Sequence, residues 1–310
     1  MTGKTGVAIL GIFVADLAFR ANRQPAIGET LIGSGFAMGP GGKGSNQAVA
    51  AARAGAQVSF ISKIGRDAFG GIALAAWARE GITPCVVQST DEPTGAAYIF
   101  VNDTNGENAI IVVPGAASTI GPADVDAAAD AIKGASVFVT QLEQPIAAAK
   151  RGLEIARAAG VITVFNPAPA VGPIDEAIFP LCDYVIPNER EAEGLTGKTV
   201  TSADDARRAA DILLKKGAGA ALITLGEKGA LFHSREHSAF FAPFYAGRVV
   251  ETAGAGDAFV GAFAAALAEE LDPLDAARFG SAAAGISVTR AGTAPAMPSY
   301  TEIKRLLESR

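Results

Sequence analysis

Residues 137–165 read VFVTQLEQPIAAAKRGLEIARAAGVITVF. A β-branched apolar run opens the stretch, a polar break follows at 141–144, a Pro-led segment of helical period ends at Gly160, and a second apolar run closes it. Pro tolerates the first turn of a helix and Gly favours the position past its last, so the middle segment has both a start and a stop. Strand, helix and strand joined this closely form a crossover between parallel neighbours. The same alternation extends outward. Buried strands are expected at VAILGI (7–12), VSFIS (58–62), YVI (184–186) and ALIT (221–224), and helices at SNQAVAAARAG, AFGGIALAAWAREG and SADDARRAADILLKKG, each ending near Gly. Continuous apolar strands alternating with helices predict an α/β fold: a doubly wound, mostly parallel sheet with helices on both faces.

Two regions break the rhythm. Residues 13–40 carry Gly, Pro and alternating apolar positions, and AAYIFVNDTNGENAIIVV (96–113) reads as a hairpin about Asn105 and Gly106. Together they predict a small β-sheet lid, spanning about 13–40 and 94–114, inserted within one domain that covers 1–310. No linker or internal repeat divides the chain.

A formal charge of −6 and a pI near 5.1 argue against nucleic acid or an anionic membrane as partner and leave a small metabolite as the expected ligand. Cys85 and Cys182 stand far apart without metal-ligand spacing and read as free buried thiols. The N-terminus MTGKTGVAILGIFVAD is too short and interrupted to export or span, so a cytoplasmic protein is expected.

In such sheets ligands gather beyond the carboxyl ends of the strands, and the residues there are polar: Asp16, Glu143, Asn166, Asn188, Glu189, Glu191, and Thr224 leading to Gly226. ETAGAGDAFVGAFAAAL (251–267) is the sharpest signal, because Gly254, Ala255 and Gly256 make a turn that feeds a helix. Such a turn exposes backbone N–H groups at the positive end of the helix dipole, which suits a phosphate. Asp257 then reads either as an N-cap or as a base that takes a proton from an attacking hydroxyl while the amides hold a transferring phosphoryl group. A second run, GPGGKGSNQAVAAA (39–52), matches GxGxxG through Gly39, Gly41 and Gly44, the sole basis for a nicotinamide-dependent oxidoreductase. The preceding IGSGFAM is a poor buried strand, so that fingerprint lacks its context. It fails as a Walker A loop too, since Ala37 replaces the first Gly and Gly44 follows Lys43. His233 and His237 read as surface residues, Trp77 as core, and Ser34 and Ser45 lack a histidine partner for hydrolase chemistry.

These residues resemble the ribokinase family of sugar and nucleoside kinases over nearly the whole chain: GGKGSNQAVAAARAGA (41–56), TGAAYIFVNDTNGENAIIVVPGA (94–116), QLEQP (141–145), NPAPA (166–170), PNEREAEGLTG (187–197), LITLGEKGA (222–230), TAGAGDAF (252–259) and VTRAGTAPAMP (288–298). The resemblance implies ATP-dependent phosphorylation of the primary hydroxyl of a pentose, D-ribose foremost, with Asp257 as catalytic base and Gly254, Ala255 and Gly256 shaping the anion hole. It implies a sugar set of Val14, Asp16, Gly42, Lys43, Asn46 and Glu143, and a nucleotide set of Asn188, Thr224, Gly226, Gly229 and Gly256. Glu191 would organise Mg2+ through water, and Glu251, Ala253, Ser287, Arg290 and Gly292 would surround a monovalent cation, K+ by family habit. Paired lids would make a homodimer. Three positions depart from the family pattern. Val14 stands where ribokinases usually carry an asparagine that meets a sugar hydroxyl, an apolar choice shared with deoxyribose-preferring relatives. Glu251 replaces the usual Asp at the cation site, and Ser281 replaces a frequent Asn near the nucleotide. A 2-deoxyribose, other sugar or nucleoside kinase is therefore the alternative within the family, and a non-catalytic sugar-binding regulator the alternative outside it.

Overall fold

The structure is a computed structural model and describes residues 6–169 and 174–309, so the first five residues and Ala170, the end of NPAPA, lie outside it. The main sheet is built from β1 (Val7–Leu10), β4 (Val58–Gly65), β5 (Thr83–Ser89), β8 (Val137–Thr140), β9 (Ile162–Phe165), β10 (Tyr184–Val185), β11 (Ala220–Thr224), β12 (Ala230–Ser234) and β13 (Ser238–Phe241). Its order is β13-β12-β11-β10-β9-β8-β1-β4-β5, parallel except where β12 pairs antiparallel with β11 and β13. A second sheet, in order β3-β2-β6-β7, is formed by β2 (Val14–Ala21), β3 (Gly35–Gly41), β6 (Thr94–Asn102) and β7 (Asn108–Gly115).

Alternation along each strand divides the core in two. Val7, Ile9, Val137, Val139, Ala220 and Leu222 face one layer, while Ala8, Leu10, Phe138, Ala221 and Ile223 face the other. The first layer holds α1 (Lys43–Arg53), α2 (Ala68–Arg79), α8 (Ala255–Ala268), α9 (Pro273–Ser287) and α10 (Tyr300–Glu308). The second holds α3 (Pro122–Ala127), α4 (Ala129–Gly134), α5 (Ile146–Ala158), α6 (Glu189–Thr196) and α7 (Ala203–Lys215). Strands buried on both faces have no polar side to show, which is why they stood out as unbroken apolar runs. Among the described residues no helix is long and apolar enough to cross a membrane.

From β1 the chain builds outward to β4 and β5, then returns to β8 on β1's other side and continues to β11. That reversal opens a crevice at the carboxyl ends of β1 and β8. The small sheet springs from the same place: β2 follows β1 directly, and β6 follows β5.

Candidate active site

Two glycines set the floor of the crevice. A Cβ on Gly11 would stand 2.5 Å from Gln141 Oε1 and 2.7 Å from the Cα of Gly44, so the start of α1 is pressed against the ends of β1 and β8. Gly42 caps α1 with φ 91°, a left-handed conformation that favours glycine, and its Cβ would meet the Ile12 carbonyl at 2.5 Å. This delivers Lys43, Asn46 and Gln47 to the crevice.

From the opposite side comes the start of α8. Its N-cap is Gly254, in the left-handed region at φ 79°, so the capping role open to Asp257 is not the one taken. Asp257 lies in the first turn, only 6% exposed. Asn46 Nδ2 donates to its Oδ2 at 3.1 Å and Gln47 Nε2 to its Oδ1 at 3.1 Å. Burial pushes the Asp257 carboxyl above the usual carboxylate range, opposed by the Lys43 ammonium and by the two amides. Lys43 is held above its ordinary value, by Asp257 first and also by Glu143 and Glu191, against its own burial. The half-turn ahead of Asp257 is open: a Cβ on Gly256 would find nothing within 4 Å. First-turn N–H groups without intrahelical acceptors therefore face free space at the positive end of the helix.

Asp16 and Glu143 flank this pair. Asp16 sits at the root of the small sheet, where β2 pairs with β3, and a Cβ on Gly41 would collide with its carboxylate at 2.2 Å. Burial raises the Asp16 carboxyl to about 6, with the charge of Glu251 adding to it. Glu143 accepts from the backbone N–H of Lys43 at 2.7 Å and is raised by burial to about 7. Val14 is buried between Gly41 and Gly95, its two cross-strand neighbours.

Toward β11, Asn188 and Glu191 form a reciprocal capping box on α6, each side chain accepting from the other's backbone at 2.9 Å. Glu191 is buried, and burial raises its carboxyl, while one of its oxygens is committed to Asn188. Asn188 also bridges to Thr224, and the loop turns through Gly226 (φ 54°) and Gly229 (φ 110°), where a Cβ would strike the Phe241 carbonyl at 2.0 Å. Among the described residues no three His, Cys, Asp or Glu side chains converge on a metal position. A lone Glu191 fits a hard divalent ion that arrives on phosphates and keeps most of its water.

Beside the start of α8, the backbone N–H groups of Val250 and Glu251 donate to the Val288 carbonyl, and Glu251 Oε2 accepts from Gly292 N at 2.8 Å. These bonds gather Glu251 and Gly292 with Ser287, the last residue of α9, and with Arg290, whose guanidinium pairs away with Glu302. Ala253 is exposed in the same loop. A helix C-terminus plus a carboxylate suits a monovalent cation.

Several residues in the site escaped the sequence reading. Gln47 and Gln141 carry contacts as central as those of their neighbours, as does Gly41, read only as part of the GxGxxG match, and for Gln47 the available signal was a polar residue leading into the Ala- and Val-rich part of a buried helix. Asn166, read only as one polar strand exit, joins Gln47 Nε2 to the Ile186 carbonyl. Trp77 is core, its indole N–H donating to Ser45 Oγ at 3.0 Å. His233 meets Asp211, and His237 is exposed. Residues 35–41, which hold two of the GxGxxG glycines, form a mostly exposed strand of the small sheet and not a central strand.

Comparison with known proteins identifies the family and the fold. The family model described as pfkB family carbohydrate kinase matches residues 4–299. A ribokinase from Haemophilus influenzae is 39% identical, covering 97% of this chain and 98% of its own, and a deoxyribokinase from Salmonella typhi is 36% identical with the same coverage. The solved structure of Arabidopsis thaliana ribokinase complexed with ribose and ATP superposes with a TM-score of 0.91 at 28% identity, covering 98% of this chain and 99% of its own. A buried carboxylate at a glycine-capped helix start, a mostly parallel sheet with a small sheet at its reversal, and a match across nearly the full length lead to one conclusion: the chain belongs to the pfkB family of carbohydrate kinases.

Proposed function

We propose that this chain transfers the γ-phosphoryl group of ATP to the primary hydroxyl of a pentose, converting D-ribose to D-ribose 5-phosphate. The observation that carries the reading is Asp257, buried beside the open first turn of α8 with both oxygens held by amides. Asp257 takes the hydroxyl proton as the sugar oxygen bonds to the γ-phosphorus and the bond to the leaving ADP oxygen breaks. The free first-turn amides of α8 and the Lys43 ammonium offset charge on the transferring group, a preorganised arrangement at the start of the helix. Asp16, Gly42, Asn46 and Glu143 orient the sugar hydroxyls, while Thr224, Gly226 and Gly229 run along the nucleotide. Asn188 and Glu191 would hold the water shell of Mg2+, which would supply positive charge to the phosphates. Potassium, held by Glu251, Ala253, Ser287, Arg290 and Gly292, would steady the loop that leads into α8.

The small sheet closes over the sugar in this reading. It also pairs two chains: Ile110, Ile111, Val112 and Val113 are consecutive on edge strand β7, and all are exposed. A strand apolar and bare on both faces calls for a partner. The cytoplasm is the expected place of work.

A second reading is favoured by Val14. Its apolar side chain offers no hydrogen bond where a ribose hydroxyl would want one, which turns selectivity toward 2-deoxyribose, and a deoxyribokinase stands among the relatives. ADP release across ribose, 2-deoxyribose, hexoses and nucleosides, with and without potassium, tests both. Turnover that depends on a pentose supports the proposal, and the ratio of specificity constants chooses between its two forms. ADP release indifferent to every sugar, or NADH binding without ATP binding, overturns it.

A further inference from the structure

We infer that Gln47 is a positioning residue for the catalytic base, the last link of a buried amide chain that fixes which oxygen of Asp257 meets the substrate. The inference rests on the kinase reading above.

The polarity of the chain is set at its far end. Asn166 Nδ2 donates to the Ile186 backbone carbonyl at 2.7 Å, an acceptor that cannot be reversed. Asn166 Oδ1 is thereby turned toward Gln47, which must answer with its Nε2, at 3.0 Å. The same Nε2 donates to Asp257 Oδ1 at 3.1 Å, and Gln47 Oε1 accepts from Gln141 Nε2. Both ends of the Gln47 amide are therefore committed, and the side chain is fully buried. Its partners come from three elements other than its own helix α1, namely α8 and the segments after β8 and β9, so no single loop movement releases it.

The two carboxylate oxygens are left in different situations. Oδ1 faces a locked donor. Oδ2 faces Asn46, whose own Oδ1 is buried without a partner, so that amide is held at one end only. Oδ2 is thus the oxygen with a replaceable neighbour, and it takes the proton from the sugar. Gln47 holds the carboxylate plane so that this lone pair points to the hydroxyl. The charged groups facing Asp257 are Lys43 from α1, Glu143 beyond β8 and Glu191 from α6, none of them bonded to Gln47.

Gln47→Leu removes the donor, and Gln47→Glu keeps the shape while replacing the donor with an acceptor, guarding against a folding failure of the first. Each is expected to lower kcat for the preferred pentose by about 10- to 100-fold with KM for the sugar and for ATP nearly unchanged, as a misaimed base does. Neither should lower the rate further when Asp257→Asn is already present, because a residue acting only through Asp257 has nothing left to act on. If wild type loses turnover with Asp257→Asn but both Gln47 variants keep full kcat, or if their effects multiply with that of Asp257→Asn, the inference fails while the kinase reading stands. If Asp257→Asn is itself fully active, the kinase assignment of Asp257 fails first.

Discussion

Glycine does opposite work in two regions of this molecule. Where α1 crosses α8, a Cβ on Gly261 would lie 2.4 Å from the Gln47 carbonyl and 2.6 Å from Ala50 Cβ, so two backbones touch and carry Asn46 and Gln47 onto Asp257. In the small sheet, a Cβ on Gly39 would find nothing within 4 Å. The first region is a packed core that happens to hold a charge; the second is a thin sheet whose apolar side chains still wait for cover. The proposed base chemistry calls for the tight packing of the former, and the proposed entry of a sugar for the thinner packing of the latter.

The comparison can be broken at its two glycines. Gly261→Ala should destabilise the protein by about 3 kcal/mol, since the new methyl meets backbone and not a yielding side chain, and should lower turnover as α1 moves off Asp257. Gly39→Ala should leave both thermal unfolding and turnover unchanged. Equal effects would mean that the junction is not the rigid part.

A smaller change sharpens the role of the root of the small sheet. Val14→Asn places an amide between Gly41 and Gly95, where the sheet meets the crevice, and should shift the ratio of specificity constants toward ribose over 2-deoxyribose by about tenfold. An unchanged ratio would remove Val14 from the substrate site.

Acidity separates the regions as well. Asp16 and Glu143 titrate in the folded protein at about 6 and about 7, above their ordinary values, so their contribution to stability is complete below the usual carboxylate range and is lost as pH rises through 6 and 7. The melting temperature of the ligand-free protein should therefore fall between pH 5 and pH 8, and Glu143→Gln should flatten that slope. A melting temperature that rises over the same window contradicts the burial of these acids.

The least effect on the folded chain is expected at the edge of the small sheet. Ile111→Lys should leave the stability of one chain within about 0.5 kcal/mol, as exposed substitutions do, yet weaken self-association measured by sedimentation. Association that survives charges on β7 would place the contact elsewhere.

How much of this was legible follows from the same contrast. Strands buried on both faces announce themselves as apolar runs, and β1, β4, β8, β9, β10 and β11 all fell where those runs were. Edge strands do not: β5, TPCVVQS, has no buried residue and its composition carries no period to read. The antiparallel β12 and β13 were not read as strands, and only the histidines there were noted, as surface residues. In the site, Asp257 was visible because glycines surround it, while Gln47 was hidden in a helix buried on every side from Gly44 to Ala51, where position gives no hint of which face matters. The coupling of Gln47 to Asn166 spans 119 residues and exists only once the sheet has reversed direction.

The central claim is that the buried carboxylate of Asp257 removes the proton from the sugar hydroxyl. Its most direct test is kcat of Asp257→Asn at saturating pentose and MgATP, with pentose affinity measured alongside by calorimetry. The account predicts a loss of about 10²- to 10⁴-fold in kcat with the sugar still bound at near wild-type affinity. A variant that turns over at the full rate would contradict it.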